Sequence, residues 1–149
     1  MIWRTHLAIT VFAILIFIPH INYPLIFSVV ALFASLLVDV DNYCSLIGNR
    51  NIARPLQFFT KHRGIIHSLT FAIVLSLLIS VFSPKLALPF FVGYGIHVFV
   101  DSFTKDGVQP FWPYKGESRG VLRTGSQSEA VLFLLFVLLD LFMAFVILL

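Results

Sequence analysis

His97 and Asp101 stand four residues apart at the polar end of an apolar run, GYGIHVFVD. On a helix that spacing puts both side chains on one face. The pair can therefore bind one ion together, or the imidazole can bind while the carboxylate orients it. The segment LLVDVDN carries Asp39 and Asp41. These two carboxylates share a side only where the chain turns extended, as metal-binding DxD segments do; otherwise they are solvated helix-end acids. HRGIIHS carries His62, Arg63, His67 and Ser68. Gly64 interrupts helical continuity between its two imidazoles, leaving His62 in a loop and His67 in the first turn of the next helix. His6 lies at the start of the first apolar run.

Imidazole with carboxylate, and no thiolate, is the ligand set of zinc, and also of manganese or iron. Four histidines and three aspartates exceed the needs of one tetrahedral ion. Either two metals share a bridging aspartate, or one metal uses a subset while the rest serve as acid, base and orienting partners. A divalent ion lowers the pKa of water bound to it, which supplies a nucleophile for ester, amide or phosphoester hydrolysis. In that chemistry Asp41 is the aspartate assigned as general base. Arg63 is assigned to grip a phosphate or stabilise an oxyanion with its planar fork; its alternative is a membrane-edge anchor.

These groups sit in a very apolar chain. Of its 149 residues, 59% are hydrophobic and 11% charged, against roughly 25% charged in ordinary soluble domains, and the mean hydropathy is +0.98. The composition predicts an all-α integral membrane protein, a single domain over residues 1–149. Pro, Gly and charge clusters divide the apolar runs at about 5–19, 24–38, 65–83, 86–103 and 129–149. This predicts a transmembrane bundle of about five spans, or four if the first two, short against the roughly 20 residues a span needs, form a re-entrant pair. The first run follows a single basic residue, Arg4, and no A-x-A-like site comes after it, so it reads as a retained helix. Cys44 is the only cysteine and says little about compartment.

With five spans, nine of the ten Lys and Arg residues share the side of the amino terminus and both long loops, and only Lys85 lies opposite. The positive-inside bias places the amino terminus and long loops in the cytoplasm of a multi-pass cell-membrane protein. A net charge of +3 concentrated there favours anionic lipid head groups. The basic residues are too few and dispersed for nucleic acid to be expected as a partner. His6, Asp39, Asp41, His62, His67, His97 and Asp101 then all fall at one membrane level. Ionisable groups at membrane depth are costly and usually face a functional interior.

Two loop segments complete the pattern. DSFTKDGVQPFWP, residues 101–113, leaves the His97 run directly and reads as a short lid, with Gly107 permitting a tight turn. In RTGSQSEAV, residues 123–131, Ser126 is a helix N-cap and Glu129 completes a capping box, while also lying at the level of the polar cluster. Asp140 falls mid-helix and has no assigned role.

LLVDVDN, HRGIIHS, GYGIHVFVDSFTKDGVQPFWP and RTGSQSE, in that order, resemble the YdjM-type family of membrane-bound metal-dependent hydrolases, also described as LexA-binding inner-membrane-associated hydrolases. The likeness runs from His6 to Glu129. It implies that His6, Asp39, Asp41, His62, His67, His97 and Asp101 occupy the polar positions of the family pattern, with Thr104 and Gly107 in its post-helix turn; Ser68, Thr104, Gly107 and Glu129 are assigned supporting roles. Val38 stands where a proline often precedes the first aspartate, and Asn42 where a histidine is often found. The expected function is a metal-dependent hydrolase with one or two divalent ions, zinc first, acting at the cytoplasmic membrane interface on a lipid-like or phosphoester substrate. The alternative is a metal-ion or proton carrier built on the same His/Asp cluster, for which the opposite half of the bundle offers few polar groups beyond His20 and Asp140. A third reading is a polar cluster that only ties helix ends together.

Overall fold

The computed structural model describes residues 1–41 and 64–149, the side chain of Asp41 excepted. Five α-helices are present among them: α1 Trp3–Phe17, α2 Pro24–Leu37, α3 Leu69–Phe82, α4 Pro84–Asp101 and α5 Gln127–Leu148. Short 3-10 turns follow α1 at Ile18–His20 and α2 at Val38–Asp41. There is no strand among the described residues, only isolated bridges pairing Thr104 with Leu122 and Val108 with Ser118 in the loop before α5.

Local sequence explains the helix starts. Pro24 and Pro84 lie at the first positions of α2 and α4, where a missing N–H costs nothing. Ser68 and Ser126 cap α3 and α5, accepting hydrogen bonds from the amides of Phe71 and Glu129. Ser68 also donates to the carbonyl of Ile65, which fixes the turn holding His67.

Packing sets the helix directions. Gly93 of α4 lies against the backbone of Ala31 in α2, and one turn later His97 meets the carbonyl of Ser35, so the two helices run parallel. An α4 side chain at position 93 would meet the Ala31 carbonyl oxygen at 2.0 Å, which only glycine avoids. Glu129 at the start of α5 binds Ile2 and Thr5 at the start of α1, and Phe136 sits edge-on to Phe12 farther along, so this pair is parallel too. The main core gathers Ala34, Val38, Ile66, Ala72, Phe90, Tyr94, Val98 and Val108. Within it the Tyr94 hydroxyl donates to the carbonyl of Ile66, tying α4 to the residue before His67.

Segments Trp3–His20 and Gln127–Leu148 are long and apolar enough to cross a membrane. Helices α2 and α3 are apolar but have 14 residues each, about 21 Å at 1.5 Å per residue against a hydrocarbon core of about 30 Å. Helix α4 has the length, 18 residues, but its prolines, Lys85, His97 and Asp101 dilute its hydropathy. The five expected apolar runs are therefore five helices, of which two meet the spanning criterion on their own. Leu134, Leu138, Leu141, Phe142 and Phe145 leave α5 with an exposed apolar outer surface.

Candidate metal centre

The helix ends converge on one polar cluster. His6 comes from the first half of α1, Asp39 from the turn beyond α2, His67 from the residue before the α3 cap, and His97 with Asp101 from the last turns of α4. All five are buried, Asp39 the most open at 8% exposure. His67 Nε2 lies 3.7 Å from Asp39 Oδ1 and 3.8 Å from Asp101 Oδ2. His97 Nε2 lies 3.7 Å from each of the same two oxygens. His6 Nε2 approaches the other oxygen of Asp101, Oδ1, at 3.3 Å, and the amino group of Met1 meets that oxygen at 2.7 Å.

The neighbourhood fixes the tautomer of His97. Its Nδ1 lies 2.7 Å from the carbonyl oxygen of Ser35, which can only accept, so Nδ1 carries the proton and donates. Nε2 then points a lone pair into the cluster, the arrangement by which a backbone carbonyl orients a metal-binding imidazole. The Ser35 hydroxyl is in turn held by Thr10, whose own hydroxyl also lies on the carbonyl of His6.

Its burial, geometry and donor set fit the cluster to a cation. Among the described residues no hydrogen bond reaches His97 Nε2 or His6 Nδ1, although both atoms are buried. Burying such groups unpartnered is costly, and a metal would take up the lone pair of His97 Nε2. The buried carboxylates of Asp39 and Asp101 bring anionic oxygens to the same point as these imidazoles. One donor atom from each of His67, His97 and Asp101 lies within 4.8 Å of the others, and the same holds for His6, Asp39 and His97. The donor set has imidazole and carboxylate with no thiolate, as suits zinc, manganese or iron.

Of the seven expected ligands, the structure brings together His6, Asp39, His67, His97 and Asp101. Asp41 closes the 3-10 turn next to them, but its side chain, together with His62 and Arg63, lies outside the described residues. The supporting positions make contacts within the fold. Ser68 caps α3. Thr104 donates to the carbonyl of Asp101. Gly107 takes φ +69°, and a side chain there would strike Arg119 and the Ser118 carbonyl. The 101–113 loop docks on the start of α3, where the Pro110 carbonyl accepts from the amides of Leu69 and Thr70. Glu129 is buried, and its carboxylate accepts from the amides of Ile2 and Gly125 and from the Thr5 hydroxyl. Its reach to Gly125 and across to α1, instead of back to the Ser126 amide, departs from the simple capping box.

Sequence reasoning missed Ser35, which acts through its backbone, and Gly93, which lets α4 close on α2. The small residues of Ala31-Leu-Phe-Ala-Ser35, set opposite Gly93, were the available signal, since small residues four apart let helices approach closely.

No curated protein and no solved structure matches the chain. The profile of the family described as YdjM inner membrane protein matches residues 1–148. That match covers the buried His/Asp cluster and all five helices, and the chain belongs to the YdjM inner membrane protein family.

Proposed function

We propose that this protein is a membrane-embedded metal-dependent hydrolase that cleaves a lipid-like or phosphoester substrate at the cytoplasmic face of the membrane. The observation that carries the reading is the convergence of His6, Asp39, His67, His97 and Asp101 in one buried cluster into which the His97 Nε2 lone pair points. A divalent ion, zinc first, would supply Lewis acidity and a water of lowered pKa there. His67, His97, Asp39 and Asp101 would hold it. Ser35 keeps the His97 lone pair available. Asp41, beside Asp39 in sequence, is assigned to take the proton from the attacking water, and Arg63 to bind the developing charge on the substrate.

A lipid-like substrate is supported by an apolar groove of about 660 Å³ among α1, α4 and α5, lined by Phe12, Ile16, Phe99 and Phe136. Its lining residues Ile96 and Val100 adjoin His97 and Asp101 in sequence.

Protein purified in detergent should contain zinc or another divalent ion and should hydrolyse a phospholipid or lipid phosphoester. Chelation should remove that activity and the metal should restore it. Metal-loaded protein that leaves such substrates intact but moves the ion across proteoliposomes would establish the carrier instead. Metal-free protein that takes up no ion would leave only the structural reading.

The same proposal fixes a multi-pass topology. Cysteine introduced at Lys115 should be labelled from the cytoplasmic side and cysteine at Lys85 from the opposite side. Labelling of both from one side would overturn the arrangement.

A further inference from the structure

His6 and His97 lie face to face, with ring centroids 3.8 Å apart and planes 6° from parallel. An imidazole nitrogen holds its lone pair in the plane of the ring, so a bond of about 2.0–2.1 Å puts the ion in or near that plane. A single ion bonded to both stacked rings would stand between the two planes and face neither lone pair. The stack therefore prevents His6 and His97 from sharing an ion, although their donor atoms are within 4.8 Å of each other.

Both rings nevertheless address one carboxylate. His6 Nε2 is 3.3 Å from Asp101 Oδ1, while His97 Nε2 is 3.7 Å from Asp101 Oδ2. Two stacked rings thus bring their Nε2 atoms to the two different oxygens of the same side chain. That is the geometry of two ions lying side by side under a bridging carboxylate.

Resting on the reading that the cluster binds metal, we propose that the centre holds two divalent cations divided by the His6–His97 stack. The first is held by His67, His97, Asp39 and Asp101 Oδ2. The second is held by His6 and Asp101 Oδ1, with Asp39 near enough to His6 to contribute. The stacking distance of 3.8 Å falls within the separation of about 3.5–4 Å between ions of two-metal hydrolytic sites. The amino group of Met1 also touches Oδ1, at 2.7 Å, so the second ion replaces or shares a cationic contact which that oxygen already makes. With fewer protein donors, the second ion is the weaker and more exchangeable of the two.

Elemental analysis after equilibrium dialysis of the detergent-solubilised chain against zinc, with electron paramagnetic resonance of the manganese-loaded chain, tests this. The unaltered protein should bind two ions per chain, and its manganese spectrum should show exchange coupling between neighbouring ions. His6→Ala should drop to one ion per chain and give an uncoupled six-line spectrum, while the more conservative His6→Gln should do the same. Retention of the first ion in either variant shows that the fold of the site survives. Saturation of the unaltered protein at one ion, with no coupling, would overturn the two-ion centre while leaving a metal site. Two coupled ions in both His6 variants would overturn the role of His6. Failure of the unaltered protein to bind either metal would overturn this inference and the metal-dependent function beneath it.

Discussion

Gly93→Ala is expected to cost about 3 kcal/mol or more, above the 1–3 kcal/mol usual for overpacking. The added Cβ would lie 2.0 Å from the Ala31 carbonyl oxygen, 2.7 Å from its carbon and 2.8 Å from its Cα, all backbone atoms that cannot rotate away. Helix α4 must move off α2, and His97 travels with it because that residue lies one turn farther on. The fall in Tm should be of order 10 °C for a chain of this size, read by thermal unfolding in detergent. Gly95→Ala is the control. Its Cβ would meet only Leu69 Cδ2, at 3.9 Å, so the variant should unfold near the parent temperature. Equal melting of parent and Gly93→Ala would show that α2 and α4 do not meet this closely.

The second large effect falls on Asp101. This residue is 1% exposed and its two oxygens contact His6, His67, His97 and the Met1 amino group. Asp101→Asn preserves the shape but replaces an anionic oxygen with an amide, which donates where an acceptor is needed. Metal affinity should fall by more than the roughly 100-fold upper end of what loss of an orienting partner costs. His97→Ala should do likewise by deleting the ring whose lone pair Ser35 keeps available. Competition with a chromophoric chelator measures both. A drop within about 10–100-fold for Asp101→Asn alone would make that residue an orienting partner of His97. Full occupancy in both variants would remove α4 from the centre.

Much of this was legible in the chain itself. The five helices fall where the apolar runs, prolines and serine caps place them, because these signals are local. The five residues that converge were also identifiable, since His and Asp at membrane depth are expensive and usually face a functional interior. What could not be read was the orientation of each ring. The stack of His6 on His97 depends on how α1 and α4 are rotated against each other, and that rotation is set where Thr10 and Gly93, each one turn from its histidine, meet Ser35 and Ala31 of α2, which are remote in sequence from both. Glu129 shows the same limit. Its local role as a cap partner is visible in Ser-Gln-Ser-Glu, whereas its grip on Ile2 and Thr5 spans 127 and 124 residues and leaves no local trace.

That grip also orders events in time. Helix α1 leaves the ribosome before α5, yet the amide of Ile2 and the hydroxyl of Thr5 find their buried acceptor on Glu129. Until α5 arrives, the first turn of α1, which carries His6, lacks the anchor that fixes its position. Asp101 and the other helix ends can gather earlier, but the corner of the centre formed by His6 is completed only once α5 has been made.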